Sequence, residues 1–184
     1  MNPWPTVKHL FEVDDGMLPD IYVENLMTEQ TVAAYEWIMS QCSIANSPTL
    51  WSIEKEIDIP IRELQYPARE FAAGRVETFR HCLAGLSVNG VELPQLSVSV
   101  EDGGISFDYR AGESWNEKTV LALFEFLYQL KNLFPNARIF QADEGVIQLL
   151  MLSSRRRFSS LSRRLLTLRR RCDVPGRLRP ELKR

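Results

Sequence analysis

Residues 93–112 read LPQLSVSVEDGGISFDYRAG, two runs of alternating apolar and polar residues on either side of a short turn. The turn contains Asp102-Gly103, and an Asp-Gly pair between alternating runs is a strong short-range signal for a β-hairpin. Successive side chains of a strand point to opposite faces, so the apolar residues of both runs are predicted to share one face. The expected cross-strand neighbours on that face are Leu96, Val98 and Val100 with Ile105, Phe107 and Tyr109.

The sequence on both sides of this hairpin predicts helices. Residues 28–42 and residues 67–86 each carry apolar side chains at helical spacing. A third helix is predicted from Ser114 to residue 134, because Ser114 and Glu117 stand at the spacing of a capping box. Its apolar face consists of Val120, Leu123, Phe124, Leu127, Leu130 and Phe134.

Two further segments have the pattern of strands. Residues 50–61, LWSIEKEIDIPI, are predicted to form one half-buried strand, with Trp51 and the isoleucines on one face and the acidic residues on the other. Residues 137–142, ARIFQA, predict a short strand, whereas the prolines of the first dozen residues predict an extended lead-in. Helices and antiparallel strands in separate groups indicate an α+β fold, an antiparallel sheet with a central β-hairpin packed by two to three helices.

Charge divides the chain into two parts. Residues 155–184 hold eleven arginines and one lysine against two acids, a net charge of +10, and the remaining 10 basic and 22 acidic groups give residues 1–154 a net charge of −12. We therefore expect an acidic α+β domain over residues 1–152, and a basic C-terminal helix and tail over residues 153–184. The apolar stripe of that amphipathic helix is predicted from Phe158, Leu161, Leu165, Leu168 and Cys172.

The residue types that catalysis requires are sparse. His9 and His81 stand in unrelated contexts, without the spacing of a zinc or iron site. His81 adjoins Cys82, but no residue is evident that would orient the imidazole as a base. The only glycine pair belongs to the hairpin turn rather than to a phosphate-binding loop. We therefore expect no enzyme activity, no metal and no cofactor.

The cysteines and the hydropathy pattern indicate the cellular compartment of the protein. Cys42, Cys82 and Cys172 are odd in number and widely spaced, which favours reduced structural thiols over a disulfide framework. The sequence has no apolar run of eighteen residues, and its first sixteen residues lack the pattern of a secretory signal. A cytoplasmic location is expected.

The remaining candidate for function is charged surface with aromatic anchors. Protein interfaces favour such anchors, and complementary charge accelerates encounter with the correct partner. We predict a negative patch that includes Trp51, Glu54, Glu56, Asp58, Glu101, Asp102, Glu113 and Trp115. The basic tail offers a second candidate set, Arg156, Arg157, Arg163, Arg164, Arg170 and Arg171.

Several of these features together resemble bacterial polymorphic-toxin immunity proteins, in particular immunity protein family 52. The features are Trp51 at the start of its strand, the hairpin end Phe107-Asp108-Tyr109, and Gly112-Glu113-Ser114-Trp115 before the next helix, within residues 10–150. Members of that family are encoded beside toxins that carry a nuclease domain. The resemblance implies a protein that binds and neutralises a cognate nuclease toxin, such as one delivered by type VI secretion.

The arginine-rich tail leaves an alternative open. A basic cleft would repel it, so its role could be contact with nucleic acid or membrane, dimerisation through its leucine seam, or folding back on the acidic domain. An altered reading frame would also produce such an end. The alternative function is therefore a regulatory protein associated with nucleic acid or membrane, acting through residues 155–172.

Overall fold

The structure is a computed structural model that describes residues 3–14 and 16–141. Its helices within these ranges are α1 (Trp4–Val7), α2 (His9–Glu12), α3 (Thr28–Met39), α4 (Pro67–Ala72) and α5 (Glu117–Leu133). A turn of 3-10 helix covers Ile61–Glu63. None of the described helices is long and apolar enough to cross a membrane.

Antiparallel pairing joins every strand of the described ranges to a neighbour. The strands are β1 (Asp20–Glu24), β2 (Ser43–Ile44), β3 (Thr49–Ser52), β4 (Ile57–Pro60), β5 (Phe79–Ala84), β6 (Ser87–Val88), β7 (Val91–Glu92), β8 (Leu96–Glu101), β9 (Gly104–Tyr109) and β10 (Arg138–Gln141). Six of them form one sheet in the order β10-β1-β9-β8-β5-β2, and the pairs β3-β4 and β6-β7 form two small sheets. The predicted α+β fold class is confirmed.

The hairpin of β8 and β9 lies at the centre of the six-stranded sheet, as predicted. Its register places Leu96 opposite Tyr109, Val98 opposite Phe107 and Val100 opposite Ile105, the cross-strand pairs expected from the sequence. All six of these side chains are buried.

Gly104 is the point of closest approach between this hairpin and its neighbour. A Cβ added there would lie 2.2 Å from the carbonyl oxygen of Val23 in β1. No side chain fits at such a distance, so the sequence needs glycine here for the contact between β9 and β1. Gly103 serves the turn instead, with a φ of +80° that favours glycine.

One face of the six-stranded sheet is apolar and is covered by helices. Phe126 of α5 packs edge-on against Phe107, with ring centroids 5.5 Å apart. Tyr35 of α3 packs in the same way against Phe79 of β5, and Trp37 of α3 stacks on Phe126 at 5.4 Å. The two long helices therefore lie against the same face of the sheet, and the hydrophobic core is between them and the strands.

Helix α5 confirms the predicted helix, but its N-cap lies two residues after the predicted cap, Ser114. Asn116 is the N-cap, and its side chain accepts hydrogen bonds from the amides of Lys118 and Thr119 at 2.9 and 3.3 Å. The Thr119 hydroxyl accepts from the Asn116 amide at 2.9 Å. Both Asn and Ser are good N-caps, so spacing alone did not distinguish Asn116 from Ser114.

The helix predicted over residues 67–86 is wrong in its second half. Helix α4 ends at Ala72, and Gly74 follows with a φ of +68°, the left-handed conformation that commonly terminates a helix. The chain then forms β5, in which Phe79, His81 and Leu83 are buried at alternate positions. Apolar residues three to four apart predict a helix. Residues 79–84 instead form a strand that pairs with β8, in which alternate side chains are buried.

The single strand predicted over residues 50–61 is also wrong, because the segment is a hairpin. Strands β3 and β4 pair with each other, and residues 53–56 form the turn between them, with Glu56 at a φ of +52°. Leu50 and Ile59 oppose each other and are buried. The predicted inward face is therefore wrong for β3, where Leu50 replaces Trp51, whereas Ile59 of β4 is buried as predicted. The charged residues of the turn therefore do not form the outer face of a continuous strand.

The N-terminal segment differs from prediction as well. Residues 4–12 form the short helices α1 and α2 instead of an extended lead-in. Pro5 stands in the first turn of α1, where a missing amide hydrogen costs nothing because that amide has no partner within the helix. Strand β1 was not predicted from the sequence, although it lies inside the sheet between β10 and β9.

The helix predicted over residues 28–42 and the strand predicted over residues 137–142 are confirmed as α3 and β10. The predicted basic helix and tail over residues 153–184 lie outside the described residues, and so do the domain boundary at residue 152 and the arginine set of the tail.

Candidate interaction surfaces

The hairpin of β3 and β4 exposes apolar and acidic side chains side by side. Trp51 is 39% exposed, Ile53 is 47% exposed and Ile57 is 52% exposed. Asp58 lies directly across from Trp51 in the register, so this carboxylate and the indole share one face of the hairpin. We call this set the hairpin surface: Trp51, Ile53, Glu54, Glu56, Ile57 and Asp58, all of them exposed.

Backbone hydrogen bonds fix the hairpin to the rest of the domain. The Trp51 carbonyl accepts from the amide of Glu77 at 3.1 Å, and the Ile53 amide donates to the carbonyl of Arg75 at 2.9 Å. Strand β3 therefore pairs with β4 on one edge and with residues 75–77 on the other. This support holds the Trp51 backbone in place while its side chain stays accessible.

The charge of the hairpin surface is negative. Arg75 lies beside it, but its Nε donates to Glu70 Oε2 at 2.5 Å and its Nη2 donates to Glu70 Oε1 at 2.9 Å. The hydrogen bond to Glu70 raises the pKa of Arg75, and Glu54 adds a smaller electrostatic contribution in the same direction. Since Glu70 already balances Arg75, the three carboxylates outweigh Lys55, the cation within the turn.

Trp115 does not belong to any surface and was wrongly expected to serve as an anchor. Only 3% of it is exposed. Its ring packs against Phe11 at 5.1 Å and Tyr109 at 5.2 Å, and its indole Nε1 donates to the Arg110 carbonyl at 2.9 Å. A buried tryptophan whose N–H has a partner is a core residue.

The other predicted acidic residues do not form one patch. Asp102 is exposed at the tip of the β8–β9 hairpin, where Glu101 accepts a hydrogen bond from Ser106 at 2.6 Å. Glu113 follows the far end of β9. Six residues of strand separate the two ends, which corresponds to roughly 20 Å. The expected single negative patch is therefore divided, and only Trp51, Glu54, Glu56 and Asp58 lie together.

Sequence reasoning missed a second surface, on the sheet face opposite the helices. The register aligns Asp20 with Asp108 and Tyr22 with Ser106 across β1 and β9, and Asp108 with Ser97 across β9 and β8. These side chains all point away from the apolar face, because they alternate with the buried core residues. We call this set the polar sheet face: Asp20, Tyr22, Glu24, Arg80, Cys82, Ser97, Ser99, Glu101, Ser106, Asp108, Arg138 and Phe140.

Side chains of the polar sheet face contact one another. Arg80 donates to Asp108 and, at 3.4 Å, to Ser97. Tyr22 and Phe140 stack with ring centroids 5.5 Å apart, and the Arg138 guanidinium lies 4.4 Å from the Phe140 centroid.

Asp20 is a weakly paired carboxylate of this face. Its Oδ2 accepts from the Tyr22 hydroxyl at 3.4 Å, a long hydrogen bond. Burial raises the pKa of Asp20, and the neighbouring charges of Asp108 and Glu101 act in the same direction. The alternating sequences DIYVE of β1 and SFDY of β9 were the signal that could have revealed this cluster.

His81 and Cys82 do not form a catalytic pair. They are neighbours in β5, so their side chains point to opposite faces of the sheet. His81 is buried, its Nδ1 lies 3.1 Å from the Cys82 carbonyl and its Nε2 lies 2.9 Å from the Tyr35 hydroxyl. A carbonyl only accepts, so Nδ1 carries the hydrogen and the neutral ring accepts from Tyr35. Burial lowers the pKa of His81, which favours the neutral ring.

An open cavity of about 460 Å³ lies between α3 and residues 61–68. Its floor is apolar and includes Met39, Ile44 and Leu64. Polar groups at its rim already have partners: Ser40 donates to a backbone carbonyl at 2.6 Å, and Gln65 donates to the Tyr66 hydroxyl at 3.1 Å. The cavity therefore lacks the converging polar groups that orient a small-molecule substrate.

Residues 3–14 and 16–141 contain no group of three or more His, Cys, Asp or Glu side chains that could hold a metal ion. Comparison with protein-family models, with curated proteins and with solved structures found no match to this chain. Any function must therefore be inferred from the chemistry of the surfaces themselves.

Proposed function

We propose that this chain is an immunity protein that binds and neutralises a cognate bacterial toxin, a nuclease effector, through the hairpin surface. The single observation that supports the proposal most is the exposed indole of Trp51, which is 39% exposed and has Asp58 across from it on a backbone held from both edges. The proposed activity is binding, without a chemical reaction by this chain.

The chemistry of a nuclease matches this surface. A nuclease must hold phosphates, so its cleft carries lysine and arginine. The carboxylates of the hairpin surface have the complementary sign, which accelerates encounter and disfavours acidic partners. Trp51, with Ile53 and Ile57 beside it, supplies the apolar centre that gives an interface most of its binding energy. An immunity protein needs both properties, fast capture and slow release.

The rigid support of β3 favours tight binding. A preorganised surface does not lose much conformational entropy when it binds, whereas a mobile loop does. The hydrogen bonds of Trp51 and Ile53 to residues 75–77 provide that support. A cytoplasmic location follows from the proposal, since the toxin would be neutralised in the cell that makes it.

The experiment uses the nuclease-domain toxin that, under this proposal, would be encoded beside the gene of this chain. Co-expression with the full chain should protect DNA from degradation, and Trp51→Ala should weaken toxin binding by about 30-fold or more, as expected for a central tryptophan. Leu133→Ala is the matched control, because Leu133 is also an exposed large apolar residue, at 50%, but lies at the end of α5. Binding is measured by surface plasmon resonance and protection by plasmid integrity.

Charge is tested separately from the apolar contact. Asp58→Lys should lower the association rate and its dependence on salt, while Glu29→Lys, an exposed charge reversal on α3, should change neither by much. Equal toxin binding by wild type and Trp51→Ala would contradict the hairpin surface. Unimpaired nuclease activity in the presence of the full chain, or a neighbouring operon of metabolic enzymes, would contradict the proposed function.

The alternative is a nucleic-acid- or membrane-associated regulator, and the eleven arginines of residues 155–184 favour it. A chain that ends at residue 152 separates the two functions. Toxin binding should survive the deletion under the first proposal, whereas binding to DNA or to anionic vesicles should disappear under the second. Sedimentation velocity of the full chain and of the truncated chain tests the predicted homodimer through the tail.

A further inference from the structure

We propose that the polar sheet face is a second docking surface, which binds an arginine-bearing segment of a partner protein. The carboxylate of Asp20 would hold the guanidinium, because its neighbour Asp108 is buried and already bonded to Arg80. The stacked rings of Tyr22 and Phe140 would flank the aliphatic stem of the arginine. This inference goes beyond the proposed function, because the surface is separate from the hairpin surface and the partner need not be a toxin.

The first step of the argument is the like-charge pair. Asp20 and Asp108 are direct cross-strand partners, and such neighbours have Cβ atoms about 5 Å apart. Like charges directly opposite each other destabilise a sheet. Arg80 balances Asp108 through a hydrogen bond, and Ser97 shares that same guanidinium. Asp20 receives one long hydrogen bond, from Tyr22, so of this pair Asp20 is the carboxylate without a cation bonded to it.

The second step is the shape and charge of the surroundings. Asp20, Glu24, Glu101 and Asp108 carry four negative charges on this face, against the two positive charges of Arg80 and Arg138. A cationic side chain is therefore attracted, whereas nucleic acid and anionic membrane are repelled.

The aromatic pair favours arginine among the cations. Arg138 already lies over Phe140 at 4.4 Å, which shows that a guanidinium packs on a ring of this face. Tyr22 and Phe140 are both half-buried, so part of each ring remains accessible. Arginine combines a planar fork, which pairs with carboxylates, and a weakly hydrated plane, which packs on rings, whereas lysine has neither.

The test uses the full chain and the peptide acetyl-Arg-Gly-Arg-Gly-Arg-amide as the probe, followed by NMR of the backbone amides. We expect the peptide to shift the amides of β1 and β9 that flank Asp20 and Asp108, at an affinity at least on the order of fivefold higher than that of the lysine analogue. Asp20→Asn should reduce the affinity by a similar factor, while Glu92→Gln, an exposed carboxylate on β7, should leave it unchanged.

Ser99→Lys provides a second variant, because it adds a positive charge to the same face and leaves the Asp20–Asp108 pair in place. Circular dichroism establishes that each variant is folded. Peptide shifts confined to the hairpin surface, equal binding of the arginine and lysine peptides, or an undiminished affinity of both Asp20→Asn and Ser99→Lys would overturn the inference. The experiment contains no toxin, so its failure is distinct from a failure of the proposed function.

Discussion

Two hairpins of this molecule have similar alternating sequences but differ in how much of each is buried. In the β8–β9 hairpin, every residue of β9 is buried. In the β3–β4 hairpin, Leu50, Ser52 and Ile59 are buried, and the remaining strand residues are exposed. The first hairpin has a paired strand on each side and helices over one face, while β4 has a single partner, β3.

The difference shows that alternation identifies a strand without deciding how much of it is buried. Strand position in the sheet decides that, since a central strand loses solvent on both edges and an outer strand keeps one edge exposed. The exposed apolar residues of an outer hairpin then contribute little to the stability of the monomer and remain available to a partner. Substitutions in the two hairpins and in the neighbouring strand β5 test this contrast.

Gly104→Ala should have the largest effect. The added methyl group would overlap the Val23 carbonyl at 2.2 Å, and the overlap is with backbone, so β9 and β1 would have to separate. We expect a loss of about 3 kcal/mol in the free energy of unfolding, measured by urea denaturation. Gly103→Ala is the control, because a Cβ there has no atom within 4 Å and only its φ of +80° is unfavourable. It should cost about 1 kcal/mol. Equal costs for the two variants would contradict the close approach.

The next-largest effect on stability should be a dependence on pH, caused by His81. Its pKa is lowered by burial in the folded state, so the unfolded chain takes up the proton first as the pH falls. The contribution of His81 is therefore complete above about pH 6.5, the ordinary histidine pKa, and decreases below it, by up to about 1.4 kcal/mol for each unit of pKa difference.

The measurement is the unfolding free energy from pH 5 to pH 7.5 for wild type and His81→Gln. The decrease below pH 6.5 should be shallower in His81→Gln. A wild-type slope that survives in His81→Gln would mean that other groups cause it.

Ile57→Thr should have the smallest effect on stability. Ile57 is 52% exposed in the outer hairpin, and substitutions at such positions usually change the unfolding free energy by less than about 0.5 kcal/mol. Ile59→Thr is the matched comparison, because Ile59 is only two residues away in β4 but is 7% exposed. It should cost clearly more. A large cost at Ile57 would indicate that its role is in the fold, and would weaken its assignment to the hairpin surface.

The sequence predicted those elements whose signals are local and agree with one another. The β8–β9 hairpin has alternation and turn residues together, and α5 has a cap and a long apolar stripe together, so both were predicted nearly in full. The segment around Gly74 and β5 was assigned to the wrong period, because Phe79 and Leu83 also stand four apart. Among the candidate site residues, Trp51 and Asp58 share one face of a hairpin, whereas the predicted single strand put them on opposite faces, and Trp115 is in the core.

The amino-acid sequence by itself determined the α+β class, the central hairpin, the longest described helix and the division of charge along the chain, since each depends on spacing or composition. Tertiary structure alone decided which hairpin is buried, which tryptophan is accessible, and that Asp20 lies opposite Asp108. Those outcomes depend on strand order and register, and contacts between residues 88 positions apart in the chain leave no periodic signal in either segment.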